Sequence, residues 1–453
     1  MKMNRSVVAC IAVSLGALAT ACWNYAADAD AGGGGGPDSS TGGAGSSSSS
    51  SGSSSSSSGS GGGAGSSSSS GGGAGSSSSS GGGSSSGSSA GSSSGSGSSS
   101  SSSSSSGASS SSGSSGGTSS SGSGVCDILG AAGNPCVAAH STVRALFSAY
   151  NGPLYQVKNS TTGTTKDIGL MSPGGYVQAA DQDKFCTAPC TISVIYDQSS
   201  KGNNLTPTPA GGGNKSTPDN PVNASDLKIS IGGNEAYGIF IKPGMGYRKV
   251  IGNGTAKGDD PETMYMVTTP NNLVDGCCFD YGNAETTMAD NGEGTMEAIY
   301  FGGGVIWGTG SPGGHNNGPW VMADLENGLF PGWNSKTQSD LNIASNTPLK
   351  FNYITALVVG DVAAKNSGKG RFALYGGDAT TAGQLITEYD GIRPEINGYV
   401  PMKKQGSIIL GTGGDNTDDD GGQWFEGVMA TGAASLDTCN AVQSNIVAAR
   451  YGK

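Results

Sequence analysis

Residues 320–327, WVMADLEN, have the two-residue period of a β-strand. As a strand, the stretch would carry an aromatic ring and two carboxylates on one face and only apolar side chains on the other. The first face would hold Trp320, Met322, Asp324 and Glu326. This stretch is therefore predicted to be a strand with one fully apolar face.

Similar short runs of β-branched and aromatic residues recur along the chain, separated by Gly, Asn, Asp and Pro. With residues 320–325, the predicted strands are 191–196, 237–241, 264–269, 297–301, 351–359, 371–375 and 407–410. Two segments, 138–150 and 437–449, instead have apolar residues at helical spacing. Many strands with few helices predict an all-β fold, a β-sandwich of the jelly-roll, concanavalin-like kind. No repeat period supports a propeller or a solenoid.

The first 124 residues differ from the rest of the chain in composition. Residues 1–21 have the basic start and short apolar run of an export signal. Small residues before Cys22 suit either lipoprotein processing, with Cys22 lipidated, or simple cleavage at Ala-x-Ala. Residues 22–124 are expected to be a disordered, Ser/Gly-rich linker, because the stretch from 32 to 124 is almost wholly Ser and Gly. We therefore expect an exported protein, extracellular or on the cell surface, whose folded β-sandwich spans residues 125–453.

Charge and histidine content exclude several classes of function. The formal net charge of −11 argues against nucleic acid and anionic membrane surfaces as partners. The chain has 2 histidines, His140 and His315, and neither has the spacing of a Ser-His-Asp triad or a zinc site. Both are expected to be structural or solvent-exposed. No metal and no cofactor are predicted.

Seven cysteines follow the linker, and two of them, Cys277 and Cys278, are adjacent. A disulfide between neighbours would cross-link nothing distant, and it would hold the two Cα atoms closer than in ordinary disulfides. The pairs Cys126–Cys136 and Cys186–Cys190 resemble local loop staples. The residues alone leave two options for the rest: either the neighbours bond to each other, or one of them reaches Cys439.

Acidic residues are the best candidates for chemistry. Two carboxylates beside an aromatic ring at 320–327 suit a sugar cleft, in which one carboxylate attacks or stabilises the anomeric carbon. The competing interpretation is an exposed edge face of an acidic protein. A second acidic cluster, GTGGDNTDDDGG at 411–422, presents Asp415 between glycines that permit close approach of a ligand. Its Asp418–Asp420 run half-matches a calcium loop, but Gly427 stands where that loop needs Glu.

Longer phrases along residues 126–449 resemble the catalytic domain of the glycoside hydrolase family 54 α-L-arabinofuranosidases. They are 126–146, IYDQS (195–199), CCFDYGNAET (277–286), MEAIY (296–300), DLENGLF (324–330), ILGTGGDN (409–416) and NIVAA (445–449). The resemblance covers essentially everything after the linker, and its phrases occur in the family's order. It implies a β-sandwich fold, in agreement with the strand pattern.

The resemblance also implies roles for particular residues. Glu326 falls on the family's nucleophile and Asp415 on its general acid/base. Substrate-contacting positions fall on Asp324, Asn327, Gly414 and Trp307, and on Cys277 and Cys278, which bond to each other in the family and pack against the arabinose. One departure is Gly328, where the family usually has a second Asn after the nucleophile.

The implied activity is that of a retaining, exo-acting α-L-arabinofuranosidase. Its partner would be an arabinose-containing plant cell-wall polysaccharide, such as arabinoxylan or arabinan, or an oligosaccharide from one, and the protein is expected to be a monomer. Two alternatives remain: a non-catalytic, tethered carbohydrate-binding β-sandwich, and a related furanosidase or β-xylosidase activity.

Overall fold

The computed structural model describes residues 122–453 apart from 214–215, 275, 290–291, 293, 304–317, 327, 333–345 and 395–398. The expected signal, Cys22 and the Ser/Gly linker up to residue 121 lie outside the described residues. The helices are α1 (Val125–Ala131), α2 (Ala179–Phe185), the single turn α3 (Lys365–Gly368) and α4 (Leu436–Ala448). The strands are β1 (Cys136–Ser141), β2 (Tyr155–Asn159), β3 (Thr165–Ile168), β4 (Cys190–Ile195), β5 (Thr206–Pro207), β6 (Lys228–Ile231), β7 (Asn234–Tyr237), β8 (Ile239–Ile241), β9 (Tyr247–Lys249), β10 (Glu262–Val274), β11 (Asp280–Ala284), β12 (Glu297–Gly302), β13 (Trp320–Asp324), β14 (Leu329–Phe330), β15 (Ile354–Gly360), β16 (Phe372–Asp378), β17 (Ile386–Gly391), β18 (Ser407–Leu410) and β19 (Gly421–Thr431).

Two large antiparallel sheets make up most of the described chain. Sheet I has the order β1-β19-β10-β15-β16-β17, with β8 also paired to β19. Sheet II has the order β14-β13-β12-β11-β18-β9-β5. Strands β12 and β13 of sheet II pack on β10, β15 and β16 of sheet I. The predicted β-sandwich is confirmed, since two sheets whose apolar faces pack together enclose one core.

In strand β13, the alternating residues of the sequence point to opposite faces of sheet II. Val321, Ala323 and Leu325 lie in the main core between the sheets. Trp320 and Met322 lie on the opposite face, in a smaller buried cluster. Since β13 is paired to β12 on one side and β14 on the other, the interpretation as an exposed edge face is wrong.

The predicted helix 138–150 is also wrong. Its first residues belong to β1, which pairs with β19, and the residues after Ser141 form bends and turns. The Ser141 hydroxyl accepts the backbone N–H groups of Val143 and Arg144 at 3.1 Å each, which satisfies donors that a helix would otherwise use. Arg144 then turns inward to a buried ion pair with Glu426 at 2.6 Å. The apolar spacing of so short a segment is compatible with a helix as well as with a strand, and the pairing of β1 with β19 stabilises the strand.

His140 therefore lies in β1 and does not open a helix. It is fully buried, its Nε2 donates to the carbonyl of Asn203 at 2.7 Å, and its Nδ1 accepts from the Tyr281 hydroxyl at 3.0 Å. Burial lowers its pKa, so the ring is neutral in the fold. His140 is structural, as expected, whereas His315 lies outside the described residues.

The other predicted helix, 437–449, is confirmed as α4, with Ser435 at its N-cap accepting the Thr438 N–H at 3.2 Å. The structure contains the disulfides Cys126–Cys136 and Cys186–Cys190, with Cα separations of 5.6 and 5.7 Å. Cys439 is a free, buried thiol in α4. None of the helices among the described residues is long and apolar enough to cross a membrane.

Candidate active site

A group of carboxyl side chains gathers on the face of sheet II that points away from the main core. Asp280 is the first residue of β11 and Asp324 the last of β13, with β12 between these strands. In the register of the sheet, Gly282 and Asp324 both pair with Ala298. The carboxyl groups of Asp280 and Asp324 are both buried, and each affects the pKa of the other.

Glu326 follows β13 and is held by backbone and hydroxyl donors from the β11–β12 connection. Its Oε1 accepts the Gly292 N–H at 2.9 Å, and its Oε2 accepts the N–H of Thr295 at 3.2 Å and also the Thr295 hydroxyl. Its own N–H donates to Asp324 Oδ1 at 2.9 Å. The backbone of Glu326 has φ of 83°, in the left-handed region. The Glu326 side chain therefore does not continue the alternation of side chains between the two faces of β13.

Asp415 lies in the glycine-rich loop after β18. Its Oδ1 accepts the Thr417 N–H at 2.9 Å and the Thr417 hydroxyl at 2.6 Å. A Cβ on Gly413 would lie 3.0 Å from Cys278 Sγ and 3.4 Å from both Cys277 Sγ and Asp415 Oδ1. The loop backbone therefore contacts the adjacent cysteines, and the Asp415 carboxylate lies beside the same glycine.

The structure contains a disulfide between Cys277 and Cys278, with their Cα atoms 3.0 Å apart. Both sulfur atoms and a carboxylate oxygen of Asp324 lie within 4.8 Å of one another. This group is no metal site, because disulfide sulfurs lack the thiolate form that binds metals. Cys278 is 1% exposed, and Cys277 is partly exposed. The disulfide thus forms a compact, weakly polar surface next to Asp324.

The acidic run that half-matched a calcium loop holds this disulfide in place. Asp419 Oδ1 accepts the Cys277 N–H at 2.9 Å, and the Asp419 N–H donates to the Cys277 carbonyl at 2.9 Å. Asp420 Oδ2 accepts the Phe279 N–H at 3.0 Å. These carboxylates already accept protein N–H groups, so their observed role is to anchor the turn that carries the two cysteines.

Burial changes the protonation of the aspartate pair. Burial raises the pKa of Asp324 to about 7, an effect opposed by hydrogen bonds from the Glu326 N–H and from Asp280 and assisted by the charges of Asp415 and Glu326. The pKa of Asp280 is raised well above its usual value by burial and by Asp324. The interaction raises the pKa of Asp280 and lowers that of Asp324, so Asp280 is the member of the pair that keeps its proton.

Arg248, on β9, lies beneath the loop that carries Asp415 and is 2% exposed. Its guanidinium donates to Asn416 Oδ1 at 2.5 Å, to Ser407 Oγ at 3.0 Å and to the carbonyl of Glu285. Burial lowers its pKa to about 10, while Glu285, Asp415 and Asp219 oppose that shift. It stays cationic at neutral pH, so it both fixes the loop and offsets the surrounding negative charge.

The structure brings most of the sequence-predicted site residues together. Six of them meet on this face: Glu326, Asp415, Asp324, Gly414, Cys277 and Cys278. Trp307 and Asn327 lie outside the described residues. Gly328 accepts the Leu325 N–H through its carbonyl at 3.3 Å and has φ of 141°, a value that favours glycine.

Sequence reasoning missed four polar residues of the site: Asp280, Glu285, Arg248 and Thr295. Asp280 and Glu285 lie within the phrase CCFDYGNAET, where a carboxylate at each end of a short strand was the available signal. Arg248 and Thr295 come from other elements, and only the register of sheet II brings them close.

Comparison with known proteins shows the family of the chain. A family profile described as "Alpha-L-arabinofuranosidase B, catalytic" matches residues 125–452. The chain is 50% identical over 333 residues to the probable alpha-L-arabinofuranosidase B of Aspergillus fumigatus, covering 73% of this chain and 62% of that protein. It is 49% identical over 333 residues to the arabinofuranosidase/B-xylosidase of Trichoderma koningii, covering 73% and 63%.

Among solved structures, an arabinofuranosidase complexed with arabinofuranosyl-alpha-1,2-xylobiose superposes with a TM-score of 0.65 at 43% identity. That match covers 73% of this chain and 66% of the other. The chain thus spans less than two thirds of the length of the curated relatives it matches. With a family profile matched over nearly all described residues and relatives near 50% identity, the chain belongs to glycoside hydrolase family 54, the family of the α-L-arabinofuranosidase B catalytic domain.

Proposed function

We propose that this protein is a retaining, exo-acting α-L-arabinofuranosidase that releases terminal non-reducing α-L-arabinofuranosyl residues from arabinoxylan or arabinan side chains. The observation that carries the proposal is the placement of Glu326 directly after β13 and of Asp415 in the loop after β18, both next to Asp324 or the adjacent cysteines. The charges of both carboxylates raise the pKa of Asp324, and the Asp324 carboxylate lies beside the Cys277–Cys278 disulfide. A binding module needs no such pair of carboxylates.

The proposed chemistry has two steps. A carboxylate oxygen of Glu326 forms a bond to the anomeric carbon while the bond to the leaving oxygen breaks and that oxygen takes the proton of Asp415. Asp415 then removes a proton from water, which attacks the anomeric carbon and releases Glu326. Such a mechanism needs the two carboxyl groups about 5–5.5 Å apart. Asp324, Gly414 and the disulfide would contact the arabinose.

The substrate class is supported by the relatives. One curated relative is named for α-L-arabinofuranosidase activity, and a solved relative holds an arabinofuranosyl-xylobiose. A second candidate, β-xylosidase activity, is favoured only by the name of the Trichoderma koningii relative. A non-catalytic carbohydrate-binding sandwich remains as the outcome expected if the carboxylates do no chemistry.

The test is hydrolysis of chromogenic α-L-arabinofuranoside, β-xyloside and β-galactofuranoside by the full chain. We expect the arabinofuranoside to be cleaved fastest, with retention of anomeric configuration in the first product seen by NMR. Glu326→Gln should lose about 10⁴-fold or more in kcat while keeping its circular dichroism spectrum. Asp415→Ala should lose less rate on a substrate with a good leaving group than on arabinoxylan, because such a group leaves without a proton.

Two results would overturn these assignments. Unchanged activity of Glu326→Gln would remove it from the nucleophile role. Inactivity of the wild type on all three glycosides, together with retained binding to arabinoxylan, would show a binding module instead of an enzyme.

We also infer that the folded part works outside the cytoplasm. Three disulfides among the described residues suit an oxidising compartment. The export signal expected at residues 1–21 points the same way, with lipidated Cys22 as an anchor and the Ser/Gly linker as a tether. Cell fractionation with a Cys22→Ser control tests this: the wild type should partition with membranes, and the variant should be released.

A further inference from the structure

Glu285 is a buried carboxyl group that the proposed chemistry does not use. It follows β11 directly and is fully buried. Its Oε2 has no hydrogen-bond partner in the described part of the chain. A Cβ on Gly414 would lie 1.8 Å from that oxygen, so the loop carrying Asp415 packs directly onto Glu285. The group thus lies beneath the site, where an unpartnered negative charge would be costly.

Its other carboxyl oxygen meets a hydroxyl that already has two acceptors. Thr295 Oγ1 lies 3.2 Å from Glu285 Oε1 and 3.1 Å from the Gly292 carbonyl, and it also makes a hydrogen bond to Glu326 Oε2. A threonine hydroxyl has one proton to donate and two lone pairs that accept. If Glu285 were ionised, three acceptors would compete for that one proton. If Glu285 carries a proton, it donates to Thr295, and Thr295 donates to Glu326.

We propose that Glu285 is a positioning residue, held as a neutral carboxylic acid, whose proton turns the Thr295 hydroxyl toward the carboxylate of Glu326. The inference deepens the proposed function and rests on Glu326 acting as the nucleophile. The chain Glu285–Thr295–Glu326 stabilises the ionised nucleophile without adding a second negative charge beside it.

The charged groups around Glu285 agree with this assignment. Three carboxyl groups interact electrostatically with Glu285, those of Glu326, Asp324 and Asp280. The cation that interacts with it is Arg248. Arg248 donates to the Glu285 backbone carbonyl, and its other hydrogen bonds go to the Asp415 loop and to Ser407, so the side-chain carboxyl gains no ion pair from it. Burial raises the pKa of Glu285 to about 8; its own backbone N–H and the charge of Arg248 oppose the rise, and the charges of Glu326 and Asp324 add to it. Below that pH the donating proton is present.

The decisive variants differ in their ability to donate to Thr295. Glu285→Gln places an N–H donor at the same distance and should keep kcat/KM for the chromogenic arabinofuranoside within about 3-fold of the wild type at pH 6. Glu285→Met has similar length but no donor, so its kcat/KM should fall about 10-fold.

Thr295→Val removes the donor to Glu326, so kcat/KM should fall about 10- to 100-fold and the acidic limb of the pH profile should move to higher pH. Thr295→Ser keeps the hydroxyl and should restore both the rate and the pH profile. Glu388→Gln, a buried glutamate of sheet I, serves as the control and should leave the profile unchanged.

A second readout is independent of turnover. Infrared difference spectra of wild type minus Glu285→Gln at pH 6 should show the C=O stretching band of a protonated carboxylic acid. If that band is missing, or if Glu285→Gln loses as much activity as Glu285→Met, Glu285 acts as a carboxylate and the proposal fails. If instead the wild type cleaves no arabinofuranoside while the band is present, the proposed function fails although Glu285 is neutral.

Discussion

At the scale of single residues, Glu326 combines an uncommon backbone with unusually complete hydrogen bonding. A non-glycine residue in the left-handed region costs roughly 1–2 kcal/mol. Here its φ of 83° is maintained by its N–H bond to Asp324 and by three donors to its carboxylate, from Gly292 and Thr295. Strain that surrounding groups enforce is typical of functional positions. We interpret the turn after β13 as the feature that aims this carboxylate.

The Cys277–Cys278 disulfide should serve binding more than stability. Its ring contains one peptide bond, so it removes almost no conformational freedom from the unfolded chain. Its sulfurs lie beside Asp324 and Gly413, where the proposed sugar would bind. Changing both residues to Ala should raise KM for the arabinofuranoside about 10-fold while lowering Tm by less than about 2 °C. Steady-state kinetics and calorimetry measure the two effects.

The Cys126–Cys136 disulfide is the matched control for that experiment. It closes a loop with a sequence separation of 10, which stabilises the fold by about 2–3 kcal/mol. Changing both of these cysteines to Ala should therefore lower Tm clearly and leave KM unchanged. The reverse ranking of the two double variants would make Cys277–Cys278 an ordinary structural bond.

At the scale of elements, the sequence predicted strands where β-branched and aromatic runs were long and bounded by turn residues. The predicted strand 407–410 coincides with β18, and 297–301 and 320–325 match β12 and β13 within one residue. The predicted strand 237–241 splits into β7 and β8 at Gly238, where a Cβ would lie 2.6 Å from Phe425. Short strands such as β5 and β14 could not be predicted, because two residues are too few to show an alternating pattern. They are strands because of the neighbouring strands with which they pair.

The site was predictable to the extent that its residues lie in recognisable phrases. Glu326 and Asp415 are candidates because DLENGLF and ILGTGGDN resemble the family's phrases, and their roles stay predictions. The buried partners Glu285, Thr295 and Arg248 could not, since their roles depend on the register of β9, β11 and β18 and on burial. Sequence shows the residue types, while protonation and hydrogen-bond direction come from three-dimensional neighbours.

One buried ion pair joins several elements of sheet I to α4. Arg144 donates to both oxygens of Glu426 at 2.6 Å and to Asn445 Oδ1 at 2.8 Å, and the Tyr265 hydroxyl donates to the same glutamate at 3.1 Å. Arg144→Met would leave Glu426 buried without its cation, at a cost of about 3–5 kcal/mol in the free energy of unfolding. Urea denaturation measures this loss. Arg371→Met, which breaks the more exposed pair with Asp390, should cost less than about 1 kcal/mol. Equal losses would show that burial does not set the strength of these pairs.

At the scale of the whole molecule, the fold buries several carboxyl groups whose pKa is raised. Burial raises the pKa of Asp324, Glu262 and Glu388 to about 7 and that of Glu285 to about 8. In an unfolded chain these groups titrate near pH 4. Between about pH 4 and pH 8 the folded protein therefore binds more protons than the unfolded protein.

This difference in bound protons fixes the sign of the pH dependence of stability. Where the folded state binds more protons, the free energy of unfolding falls as pH rises, so the stabilisation is fully present below about pH 4 and is lost through pH 7–8. Buried His140 opposes the trend, because its lowered pKa makes stability rise with pH near 6.5, but it is one group against four. Tm should therefore be roughly 5–10 °C higher at pH 5.5 than at pH 8.5, as measured by calorimetry in buffers of equal ionic strength. Glu388→Gln, in β17 of sheet I, should make this slope shallower by removing one titrating group. A Tm that rises from pH 5.5 to 8.5 would mean that these carboxyls are ionised in the fold and held by cations instead.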